Sequence, residues 1–173
     1  MSAAELADLW IDEFRHGIEG SGVKPGFEQI EVLKAQGIDP SSFIWVHAQG
    51  GSLEGNMRAA KAGAWISLDN VNAGTKQGSN YDISWYAQRI GALKNAGLLH
   101  RVLISHDAGW YSPGEENGGD FRGFTALFSH LIPMLEEAGF SDGEVKQLLV
   151  ENPMAAYSLR FLQVDRGPGC DTQ

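Results

Sequence analysis

Residues 43–69 read FIWVHAQGGSLEGNMRAAKAGAWISLD, and their pattern decides the architecture. Residues 43–48 and 64–69 are short, almost wholly apolar runs, as strands buried on both faces are. Between them, residues 53–62 carry helical spacing and stop at Gly63. The alternation continues downstream. Residues 82–96 predict a helix ending at Gly97, and residues 102–105 a third buried strand. A long glycine-rich loop covers 107–123, and a helix over 124–138 stops at Gly139. Ser141 and Glu144 form a capping-box pattern for a helix through Glu151, and Pro153 starts a last short helix. Upstream, residues 3–16 put Leu6, Leu9, Trp10 and Phe14 on one helical face, with Ser2 as N-cap. Residues 17–26 are a breaker stretch, followed by a helix over 27–36 with Phe27, Ile30 and Leu33 inward.

Strand–helix alternation with buried strands predicts parallel β structure packed by helices, an α/β fold. A complete (β/α)8 TIM-type barrel takes about 250 residues, and this chain has 173. The expectation is therefore a partial barrel of about three parallel strands with flanking helices. It forms one domain over 1–163, with a frayed tail over 164–173.

Composition narrows the function. Hydrophobic residues are 43% and charged residues 20%, ordinary for a globular protein. The formal net charge of −9 argues against nucleic acid, whose binders need basic surfaces to displace counterions. No apolar run reaches the roughly 20 residues of a membrane helix, and the acidic, amphipathic start does not read as a secretory signal. The single cysteine, Cys170, cannot form an internal disulfide, so the expected location is cytoplasmic.

Chemistry gathers at the C-terminal ends of strands in parallel α/β folds. Here those ends carry His47, Asp69 and the pair His106-Asp107. Imidazole and carboxylate are the usual ligands of zinc and similar divalent metals. Each residue also has a plainer reading. A histidine at a strand end is more often a hydrogen-bonded structural residue, and an aspartate after a strand often caps the next loop or helix. Adjacent residues on a strand point to opposite faces, which assigns Asp107 to the interior and His106 to a supporting contact. His16, His100 and His130 read as surface residues. Trp110 and Tyr111, in the long loop, either line a pocket or pack the loop down.

The segments FIWVHAQ, GAWISLD, RVLISHDAGWYSPGE and FTALFSHLIPMLEEAGFSDGEVKQLLVENP, in this order, resemble the C-terminal half of phosphotriesterase-like proteins of the amidohydrolase superfamily. The likeness runs from Phe27 to Ala156, and the segment around Gly17-Ile18 and 22–27 resembles the family too. It implies a binuclear centre of zinc or another divalent ion and hydrolysis of a small-molecule phosphotriester, lactone or related ester. On this resemblance His47 ligates one metal. Asp107 ligates the other and takes the proton of the attacking hydroxide. Asp69 helps shape the substrate pocket, and the loop bearing Trp110 and Tyr111 gates it.

The chain also departs from that pattern. It has no His-x-His pair, and the strands that carry the family's bridging lysine and a further ligand histidine are missing. Lys24-Pro-Gly-Phe27 runs straight into a helical segment, where Glu28 fits the helix pattern better than a bridging role. Two classes of function remain: a metal-dependent hydrolase, incomplete as a single chain, or a non-catalytic remnant or interaction module that keeps part of the barrel. An open sheet leaves unpaired edges, so self-association or a complementary chain is expected.

Overall fold

Among the described residues, three parallel strands form one sheet in the order β1-β2-β3. They are β1 (Ile44–Trp45), β2 (Trp65–Leu68) and β3 (Val102–Ile104). Ile44 and Trp45 pair with Trp65 and Ile66, and Ile66, Ser67 and Leu68 pair with Val102, Leu103 and Ile104. The computed structural model describes residues 24–72, 82–119 and 123–158. The expected helix over 3–16, most of the breaker stretch and the tail lie outside these residues.

Helix α1 (Lys24–Ala35) precedes the sheet. Helices α2 (Leu53–Lys61) and α3 (Ile83–Asn95) connect its strands in succession. After β3 come α4 (Ile132–Glu137), α5 (Asp142–Lys146) and α6 (Asn152–Tyr157). The central strand β2 is buried at all of its positions. Around it Ile66, Leu68 and Val102 meet Ile30 of α1, Ala59 of α2, Tyr86, Ile90 and Leu93 of α3, and Leu135 of α4, each with no exposed surface. Burying an aliphatic or aromatic side chain of this size contributes about 1.5–3 kcal/mol, so the sheet–helix interface dominates cohesion.

The sequence supplies its own starts and stops. Ser52 Oγ accepts the Gly55 N–H at 3.0 Å, and Asp82 Oδ1 accepts that of Trp85 at 2.8 Å. Ser141 and Glu144 make the reciprocal capping box that their spacing predicts. Helices α1 to α4 end alike. The residue after a glycine donates its N–H to a carbonyl five residues back: Ile38 to Leu33, Ala64 to Ala59, Leu98 to Leu93 and Phe140 to Leu135. The glycine must be left-handed for this, and Gly63 and Gly97 have φ of 108° and 74°.

Four elements differ from expectation. The first strand stops at Trp45 rather than residue 48, because His47 has φ 53° and leaves the extended region. Helix α1 begins at Lys24, not residue 27; Pro25 falls in its first turn, where the missing N–H costs nothing. The helix expected over 124–138 begins instead as a π segment, Leu127–Leu131, and a second π segment, Gln147–Glu151, precedes α6. Each lies just before a proline, Pro133 and Pro153. An α-turn there would press the ring on the carbonyl four residues back, and the wider turn sets that carbonyl aside.

Candidate metal centre

All three strand ends are closed by a left-handed residue that is not glycine: His47 (φ 53°), Asn70 (φ 61°) and Asp107 (φ 44°). Histidine, asparagine and aspartate tolerate this conformation better than most residues, and each such position still costs of order 1–3 kcal/mol. The sheet ladder continues to the rim and holds it. Ser105 N–H donates to the Leu68 carbonyl at 3.2 Å, and Val71 N–H to that of Ser105 at 3.1 Å. One donor atom from each of His47, Asp69 and Asp107 then falls within 4.8 Å of the others.

Asp69 is the anchor of the group. It is 5% exposed, and its carboxylate meets three donors. Oδ2 accepts the His47 backbone N–H at 2.8 Å. Oδ1 lies 2.7 Å from His47 Nδ1 and accepts from Gln49 Nε2 at 2.6 Å. Its backbone carbonyl accepts the Tyr86 hydroxyl at 2.7 Å. Burial pushes the Asp69 carboxyl upward. The hydrogen bonds from the His47 ring, the Gln49 amide and the His47 backbone, with the charge of the ring, outweigh it and leave the carboxyl below the ordinary range. The His47 ring is raised above the ordinary histidine value, chiefly by the Asp69 hydrogen bond; burial opposes this, and the charges of Asp69 and Asp107 assist it.

An ionised carboxylate only accepts, so Nδ1 of His47 carries the proton that Asp69 receives, and in the neutral ring the lone pair is on Nε2. A carboxylate behind a histidine in this manner is the usual support of a metal-ligating imidazole. The His47 side chain is 51% exposed. The donor types of His47, Asp69 and Asp107 suit a borderline divalent ion. The carboxylate of Asp69, expected to help shape the substrate pocket, is hydrogen-bonded to His47 and Gln49. Catalytic zinc usually takes three protein ligands and a water, more than His47 and Asp107 alone supply.

His106 is buried beneath the rim and does not join the group. Its Nε2 accepts the Leu127 N–H at 3.0 Å, where the π segment begins, and its ring packs edge-on against Phe124. His100 and His130 are exposed, and His16 lies outside the described residues. Trp110 and Tyr111 are 72% and 67% exposed. Trp110 Nε1 donates to the Asp107 carbonyl at 3.2 Å, which ties the start of the long loop to the site. Gln49 and Tyr86 were not singled out by sequence. A glutamine after a strand and a tyrosine in a helix carry no ligand signal, and only the folded turn brings them to Asp69.

A profile of the phosphotriesterase family matches residues 22–157. The chain belongs to the phosphotriesterase family. It is 32% identical over 129 residues to the phosphotriesterase homology protein of Escherichia coli K12, a match that covers 74% of this chain and 42% of the relative. It is 25% identical over 134 residues to an N-acetyltaurine hydrolase of Danio rerio, covering 73% and 38%. A variant organophosphorus hydrolase of Deinococcus radiodurans superposes with a TM-score of 0.65 at 22% identity, covering 78% of this chain and 43% of that one. The chain thus spans about two fifths of the family members it matches, and its three parallel strands with flanking helices correspond to part of their TIM barrel. Phosphotriesterase family members are metal-dependent, which agrees with the donor types at this rim.

Proposed function

We propose that the chain carries one flank of the active site of a metal-dependent ester hydrolase. The observation that carries this reading is the convergence of His47, Asp69 and Asp107 from three successive strand ends to within 4.8 Å. His47 Nε2 and the Asp107 carboxylate would hold the ion, with zinc as the first choice for an N/O donor set. Such an ion polarises a phosphoryl or carbonyl oxygen and lowers the pKa of water. Asp69 fixes the imidazole from behind. The Asp107 carboxylate, just after β3, would take a proton from the nucleophile. Trp110 and Tyr111 offer exposed aromatic surface to the organic part of a small ester. The names of the similar proteins span phosphorus and acyl centres, which fits a site built to stabilise attack at either.

The second reading, a non-catalytic remnant, is favoured by the donor count, since two protein ligands fall short of a usual catalytic set. Completion would come from further βα units docking against β1 and β3, each of which has one strand neighbour among the described residues. Calorimetric titration of zinc into the tag-free chain, with hydrolysis of a chromogenic phosphotriester and a lactone, tests the proposal. The expected result is weak binding that His47→Ala and Asp107→Ala each abolish, with hydrolysis appearing only when the remaining units are supplied. Zinc binding unchanged in both variants overturns the site.

A further inference from the structure

Gln49 lies in the single turn Ala48–Gly50 directly after His47 and is 8% exposed. Its side chain reaches across to the end of β2 and grips Asp69 at two points. Nε2 donates to Oδ1 at 2.6 Å, and Oε1 accepts the Asp69 backbone N–H at 3.3 Å. One end of an amide donates and the other accepts, so only one orientation of Gln49 satisfies both. The turn is fastened from beneath. Asn56, with no exposed surface, donates Nδ2 to the Ala48 carbonyl at 3.0 Å, and Arg89 Nη1 donates to Asn56 Oδ1 at 3.1 Å.

We infer that Gln49 is a positioning residue that sets the His47 ring by fixing the Asp69 carboxylate. The inference rests on the reading of His47 as a metal donor. The terminal torsion of an aspartate is broad, and without Gln49 only His47 would hold this carboxylate, its backbone N–H on Oδ2 and its mobile ring on Oδ1. Gln49 removes this freedom by holding Oδ1 and the backbone of the same residue together. Oδ1 is then presented to His47 Nδ1 in one direction, the proton stays on Nδ1, and the lone pair stays on Nε2. Without Gln49 the ring is free to place its proton on Nε2, which closes the nitrogen a metal needs.

Nitrogen-15 NMR of the metal-free chain, at a pH where the ring is neutral, reads the His47 tautomer directly. The wild type should show the Nδ1–H form. Gln49→Met, similar in volume but without polar atoms, should move His47 toward a mixture with the Nε2–H form while the His100 and His130 signals stay in place. In an Asp69→Asn background the same substitution should add nothing, because Gln49 acts through Asp69. Zinc affinity of Gln49→Met should fall about 10-fold or more. A wild-type tautomer retained in Gln49→Met, or an equal change with and without Asp69, overturns the inference. If Gln49→Met does not fold, the Gln49 side-chain amide of the wild type decides. Its protons should shift when His47→Ala removes the ring from Oδ1, and unmoved protons overturn the inference. Zinc binding indifferent to His47→Ala would remove the metal reading alone and leave the tautomer result standing.

Discussion

The His47–Asp69 pair makes stability depend on pH in both directions. His47 is raised in the fold, so its contribution is full below the unfolded histidine value and is lost as pH climbs through the raised one. Asp69 is lowered, so its contribution is full above the unfolded carboxylate value and is lost as pH falls through the lowered one. The pair stabilises most between about pH 4 and 6.5, the ordinary values of the two groups. The expected outcome is a urea midpoint that is highest in this window and declines as pH rises past it. Asp69→Asn should flatten that alkaline decline, and equal slopes in the two proteins would contradict the assignment. Sequence placed His47, Asp69 and Asp107 at strand ends because apolar runs precede them. It could not show that Asp69 turns back onto His47, since that depends on the left-handed turn at His47 and on Gln49, 20 residues away in sequence.

At the level of elements, Asn152 joins the last helix to the base of β3. It is 3% exposed, and its Nδ2 donates to the carbonyls of Leu99 at 2.8 Å and Val102 at 2.7 Å. Removing both bonds in Asn152→Ala should cost about 2 kcal/mol in urea unfolding. Asn152→Asp keeps the shape but cannot donate, so it should cost at least as much; an aspartate variant as stable as the wild type would refute this. The loop after Asp107 depends on Gly118, whose φ is 79° and whose added Cβ would meet the Tyr111 ring. Gly118→Ala should cost about 1–2 kcal/mol for the left-handed backbone alone. It should also displace Tyr111 and make residues 107–119 more readily cleaved in limited proteolysis, with cleavage unchanged if the loop does not depend on that contact. Helices α2 and α3 were legible to within a residue or two, because caps and glycine stops are local signals. The length of β1 was not, because nothing in an apolar run announces a left-handed histidine. The two π segments were not either, because Pro133 sits in an otherwise continuous helical pattern.

For the molecule as a whole, the α/β class and parallel order were readable because each unit repeats the same apolar strand, helix and glycine. Which partners the sheet takes is not encoded so locally. Along the final helical stretch Val150, Met154 and Tyr157 are 44%, 65% and 66% exposed, the last two at the spacing of one α-helical face. Together with the edges of β1 and β3, this leads us to expect a sedimentation mass that rises above the monomer with concentration, less so in Met154→Glu. A compact monomer at every concentration would contradict it. The common glycine ending of α1 to α4 bears on how such a chain changes over generations. Each strand–helix unit is closed by residues inside itself, and α1 passes the chain to β1 through the same kind of turn that ends α2 and α3. Recombination that joins units at these turns would leave every remaining capping bond intact. A unit gained or lost at such a glycine turn would leave the capping hydrogen bonds of its neighbours as they are.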